Sequence, residues 1–149
     1  MKTKQNGVAM VEFALILPLL LLLTFITTEF GRAMYQYNTI TKSVRDGARY
    51  LSTKTPYTKQ IEARNLIIYG NLTGTGSPLV LGLTVSNVPL PQNITWQTTG
   101  FNPVINTVTV TVSGYKFTPL FGSVFGTAFA DANGQIAFSN ISATMRSPI

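Results

Sequence analysis

The side chains able to do acid–base work in this chain are five carboxylates, Glu12, Glu29, Asp46, Glu62 and Asp131, scattered along its length. General acid–base or nucleophilic catalysis needs such a group with a partner held beside it. The sequence contains no histidine and no cysteine, so imidazole and thiolate chemistry, disulfides and the usual zinc or copper ligand sets are excluded. Asp131-Ala132-Asn133-Gly134 opens like a calcium loop but lacks the later acidic ligands, and reads as a turn before the last strand. No enzyme, cofactor or metal is expected. One carboxylate remains conspicuous: from Val8 to Ile26, Glu12 is the only ionisable side chain, and at 1.5 Å per residue that run reaches about 28 Å, close to the hydrocarbon thickness of a bilayer.

An acid at the centre of a membrane helix costs about 2.5–3.5 kcal/mol on insertion scales, and less toward the ends. Three readings compete for the segment: a secretory signal peptide, a plain anchor, and a retained helix with a special N-terminus. A signal peptide should close in a small-residue site, whereas this run closes in Phe25-Ile26-Thr27-Thr28-Glu29-Phe30. A plain anchor leaves Glu12 snorkelling at the headgroup boundary. The third reading begins at Gly7. A cut after Gly7 makes Val8 a free ammonium and Glu12 the fifth residue of the new chain. Ammonium and carboxylate on neighbouring, axially staggered helices then neutralise each other, which sets the register of packed subunits.

Gly7-Val8-Ala9-Met10-Val11-Glu12-Phe13 resembles the Gly-x4-Glu cleavage motif of type IV prepilins. The run GVAMVEFALILPLLLLL, followed by EFGRAMYQYNTITKSVRDGARYLS over Glu29 to Ser52, is similar to TadE-type pseudopilins of tight-adherence (Tad, Flp) pilus systems. The resemblance covers about the first 50 residues. It implies a minor pilin trimmed by a membrane prepilin peptidase between Gly7 and Val8, with Glu12 and Phe13 serving assembly with other pilin or pseudopilin subunits. It also implies an N-terminus in the cytoplasm, a single pass through the cytoplasmic membrane, and a C-terminal domain outside it or in the extracellular pilus. Cation counting does not supply that orientation, since Lys2 and Lys4 face Arg32, Lys42, Arg45 and Arg49 on the other side. Shaft subunits of this pilus class are far shorter, so a minor component or assembly factor is implied. A single-pass anchored extracytoplasmic binding domain stays open as the alternative.

The elements that must position these residues follow from pattern. Pro18 lies inside the apolar run, removes a backbone hydrogen bond and crowds the carbonyl of Ala14, so a hinge or a harmless kink is expected there. Glu29 and Arg32 sit at i, i+3 and can pair at the membrane boundary. Beyond them Ala33, Tyr37, Ile40, Val44, Ala48 and Leu51 form one apolar stripe, so the helix is expected to continue to about Ser52, some 30 Å past the bilayer. Lys42, Arg45 and Arg49 fall off the stripe, on a solvated face.

The rest reads as a modest α+β domain. Its length of 149 residues, less the membrane segment, allows one core. The net charge of +6 arises from scarcity of acids, and no basic run of the nucleic-acid type occurs. Thr55-Pro56 looks like a helix start, with a helix over Tyr57 to Tyr69 stopped by Gly70. Strands are expected over Leu79 to Val88, Ile94 to Thr98, Val104 to Ser113 and Gln135 to Met145. Within the third, Val104, Val108, Val110 and Val112 share the buried face. In the last the apolar parity changes, which predicts a bulge near Ser139-Asn140. Thr118-Pro119 suggests another helix start, with Phe117, Leu120, Phe121, Val124, Phe125 and Phe129 at helical spacing and Gly122 and Gly126 suited to close packing. Three glycosylation triplets begin at Asn71, Asn93 and Asn140. The expected organisation is a leader at 1–7, a transmembrane and assembly helix at 8–30, an amphipathic extension at 31–55 and a soluble domain at 56–149. In fold it is a long N-terminal helix laid on a small antiparallel sheet, a pilin-like plan.

Overall fold

The computed structural model describes residues 5–120, 122–124, 127–128 and 130–148. Its first element is the long helix anticipated from the sequence, α1 (Gln5–Ser52), which runs unbroken across Pro18. Apolar spacing and the lack of any breaker but Pro18 account for its length. Arg49 in the last turn suits the negative end of the helix dipole. The helix closes as Lys54 N–H bonds the Leu51 carbonyl at 2.9 Å, with Pro56 soon after.

The C-terminal half of α1 is the spine of the core. Ile40, Val44, Ala48 and Leu51 are fully buried, each larger one worth about 1.5–3 kcal/mol on leaving water. Lys42, Arg45 and Arg49 are exposed, as the stripe requires. Against this face pack α2 (Gln60–Tyr69) and a three-stranded antiparallel sheet of β1 (Ile94–Thr99), β2 (Ile105–Val112) and β7 (Ile141–Ser147), in the order β1-β2-β7. In the central strand Val108, Val110 and Val112 are buried and the threonines between them are half-buried. Thr109 and Thr144 hydroxyls meet at 2.8 Å across the outer face, where Thr109 stands opposite Thr144 in register. Val104 falls before the strand and is exposed.

Four local expectations are corrected. The helix does not start at Pro56. The Thr58 N–H bonds the Thr55 carbonyl at 3.1 Å with Tyr57 at φ 65°, so Thr55-Pro56 opens a type II turn, in which proline suits the second position and the third needs positive φ. Lys59, also left-handed at φ 58°, then starts α2.

Leu79 to Val88 is not a strand. Gly82 turns the chain at φ 84°, and residues Val85–Asn87 form a short 3-10 helix boxed by Thr84 and Asn87. Its apolar content reflects burial of Val80, Leu83 and Val88 under the core, not pairing.

The parity change near Ser139-Asn140 is not a bulge but a change of sheet. β6 (Ile136–Ala137) pairs with β3 (Lys116–Phe117), whereas β7 pairs with β2. Each sheet orients its own apolar side chains, so the pattern restarts between them.

The stretch after Thr118-Pro119 is not helical. β4 (Ser123–Val124) and β5 (Thr127–Ala128) pair antiparallel. Phe117 of that spacing lies in β3, while Phe121, Phe125 and Phe129, together with Gly126, lie outside the described residues.

Candidate functional site on the N-terminal helix

From Gly7 to Leu21 every residue of α1 is exposed. Val8, Met10, Val11, Phe13, Leu15 and Leu19 are each more than 60% accessible, so among the described residues nothing covers an apolar surface of several turns. α1 is long and apolar enough to cross a membrane, and none of its most apolar stretch is buried in the chain's own fold. Glu12 stands on this bare surface with no partner among the described residues. Gly7 lies within the helix, with open space where a side chain would project.

Three threonines mark the far end of the bare stretch. Thr24, Thr27 and Thr28 each donate a hydroxyl hydrogen bond to the carbonyl four residues earlier, at 2.7–2.9 Å. Such back-bonding satisfies the hydroxyl within the helix, which lets a polar residue sit in apolar surroundings. One turn later Arg32 Nη1 reaches both carboxylate oxygens of Glu29, at 2.9 and 2.8 Å. The pair is not free of the globular part: the Arg32 guanidinium lies 5.4 Å from the centre of the Phe117 ring, within cation–π range.

Around this level the fold first closes on the helix. Phe117, Pro119, Ile136 and Phe138 face Phe25 to Tyr37 across an open groove of about 440 Å³. Phe138 is the hub of its aromatic wall, with ring centroids 5.3 Å from Tyr115, 5.8 Å from Tyr37 and 6.2 Å from Phe117. Tyr115 is buried, and its hydroxyl shares a proton between Gln36 Oε1 at 2.7 Å and the Leu81 carbonyl at 2.8 Å. Burial pushes its pKa up.

The remaining candidates have structural roles. Asp131 accepts the backbone N–H groups of Gln135 and Asn133, each at 2.9 Å. The Gln135 bond first, then the Asn133 bond and Lys116, hold its carboxyl below the usual range, which is the expected turn before the last strands. Asn71 organises its loop by bonding Thr75 and Gly74. Asn93 Nδ2 lies within reach of the Thr111 and Asn87 carbonyls and Ser113 Oγ, at 2.9, 3.2 and 2.8 Å. Among the described residues no three carboxylates converge on a point that could hold a metal.

Sequence reasoning missed Tyr115, Phe138, Asn87, Asn93 and Gly47. Only Gly47 left a signal, because a glycine inside a helix costs about 1 kcal/mol relative to alanine and usually marks a close approach. Here that approach is to α2, where a methyl on Gly47 would overlap Ile67.

Residues 7–49, under a third of the chain, match the family model described as TadE-like protein. No curated protein and no solved structure matches the chain. The matched segment holds both the bare apolar run with Glu12 and the packed turns with Gly47, so it is the N-terminal helix that is similar to TadE-like proteins.

Proposed function

We propose that the chain is a minor pilin or pseudopilin of a Tad-type pilus, cut after Gly7 by a prepilin peptidase and packed through its N-terminal helix. The observation that carries this reading is the bare surface of α1 from Val8 to Leu21, within the segment that matches the TadE-like family. An apolar helix face that its own fold leaves open needs lipid before assembly and neighbouring helices after it. Glu12 on that face, desolvated in a bundle, needs a cation, and the ammonium of a trimmed Val8 on an adjacent subunit supplies one. Phe13 packs beside it. Pro18 provides the hinge for the change of surroundings, and the Glu29–Arg32 pair stands at the boundary of the membrane. The N-terminus is cytoplasmic and the globular domain lies outside the cytoplasm or in the pilus. The protein works as an assembly component, not as an enzyme.

The test is N-terminal sequencing and intact mass of the protein recovered from a host with an active Tad pilus system. A chain beginning at Val8 supports the proposal. One that retains Met1 to Gly7 beside working pili would sink it and leave a plain membrane-anchored domain.

A further inference from the structure

We propose that the rim of the globular domain nearest the apolar run is a lipid-contact surface, and that the groove between this rim and α1 takes an acyl chain from the adjoining leaflet. The inference rests on the reading that α1 spans a membrane. It goes further by placing the globular domain partly in the bilayer interface, not on a stalk above it.

Three observations converge. The first is axial position. The apolar run of Val8 to Ile26 ends where the groove begins, since Phe25 and Ile26 are its first lining residues. The groove is therefore a continuation of the surface that faces lipid.

The second is shape. The lining residues of α1 extend from Phe25 to Tyr37, about 18 Å by the helix rise. The groove is long and open along one side, a shape that an extended flexible chain can follow.

The third is chemistry. Glu29 is the one charged group lining the groove among the described residues, and Arg32 neutralises it at 2.8 Å. Around the mouth, Leu81 is 78% and Leu120 70% exposed. Leu81 borders Thr28 to Gln36 on a second face of the helix, and Leu120 follows Pro119 of the groove wall. Tyr35 and Phe30 are exposed at the same level, where aromatic residues favour the headgroup boundary. Apolar side chains on two sides of one helix level have no folding reason to be bare, but at an interface they insert.

The experiment uses the full chain in phosphatidylcholine vesicles containing lipids brominated along the acyl chain. In a Trp96→Phe background, single tryptophans are placed by Leu120→Trp at the rim, Leu15→Trp in the apolar run and Phe101→Trp at the opposite end. Phe101 is 97% exposed and lies beyond the β1–β2 end of the sheet, whose neighbour Ser147 bonds Ser52 at the far end of α1. The expected result is quenching at Leu120→Trp at least about half that at Leu15→Trp, for insertion roughly 5–10 Å into the headgroup and acyl boundary, with none at Phe101→Trp. Quenching at Leu15→Trp with Leu120→Trp as silent as Phe101→Trp overturns the inference while the spanning helix stands. A blue-shifted but unquenched Leu120→Trp also overturns it, because protein then covers the rim. No quenching at Leu15→Trp removes the spanning reading and this inference with it. The chain has no native cysteine, so a nitroxide at Leu81→Cys, read by accessibility to oxygen, gives the same discrimination without altering Trp96.

Discussion

Gly47 of α1 and Ile67 of α2 meet with no room for a methyl between them: a Cβ on Gly47 would lie 2.6 Å from Ile67 Cγ1 and 2.8 Å from its Cδ1. Ile67 is fully buried, so it has little freedom to move away. Gly47→Ala gains about 1 kcal/mol in helix propensity but overpacks the contact at about 1–3 kcal/mol. We expect a net loss of up to about 2 kcal/mol in denaturant unfolding of the detergent-solubilised chain. Adding Ile67→Val, which removes the atom at 2.8 Å, should restore part of it.

The second prediction concerns Glu12. Glu12→Leu removes the only ionisable side chain between Val8 and Ile26, so membrane insertion should hold or improve. In an assembled bundle it would leave the Val8 ammonium buried and unpaired, a loss of about 3–5 kcal/mol per contact. Pilus counts by electron microscopy should therefore fall to background, with protein levels in the membrane unchanged. Normal piliation in this variant would take Glu12 out of the mechanism.

Tyr115 links α1 to the loop at Leu81 through its hydroxyl, and burial raises its pKa. The folded state thus holds the phenolic proton to higher pH than the unfolded chain. That contribution is fully present below the unfolded pKa of about 10 and is lost as pH rises through the folded value. Tyr115→Phe should cost about 1–2 kcal/mol at neutral pH by abandoning the Leu81 carbonyl and Gln36. It should also flatten the fall in stability above about pH 10, measured as the difference in unfolding midpoint between variant and parent.

Asn93 ties the loop before β1 to the end of β2. Its own carbonyl accepts the Thr111 N–H at 2.8 Å while its amide donates to the Thr111 carbonyl at 2.9 Å, so it extends the sheet by one rung. Asn93→Ala should destabilise by about 1–3 kcal/mol through the unsatisfied acceptors, and Asn93→Asp by more because a carboxylate cannot donate. In a glycosylating host, mass analysis should find Asn93 unmodified although it opens an Asn-Ile-Thr triplet, since a glycan would displace these bonds.

Much of α1 was legible because its signals are local. A 19-residue apolar run and a stripe at 3–4-residue spacing do not depend on what they pack against, and the helix ends at Ser52 where the pattern does. The central strand was legible for the same reason, since Val108, Val110 and Val112 alternate with threonine and the alternation is itself the pleat. Where reading failed, one local pattern had two physical causes. Thr-Pro suits the first turn of a helix and also the opening of a type II turn, and the positive φ of Tyr57 that separates them is held by the surrounding fold.

By itself, then, the sequence determined the long helix, its apolar run with the single acid Glu12, the solvated basic face and the α+β class, all set by periodicity and composition along a few turns. Tertiary structure alone decided which apolar segments pair and which merely bury. It turned Leu79 to Val88 into a packed loop and split the last strand between two sheets. It also placed Gly47 on Ile67 and carried Phe117 and Phe138 back to the helix at Phe25 to Tyr37. The reason is distance in sequence: these contacts join residues tens of positions apart, and no spacing within either segment encodes the partner that the closed chain provides.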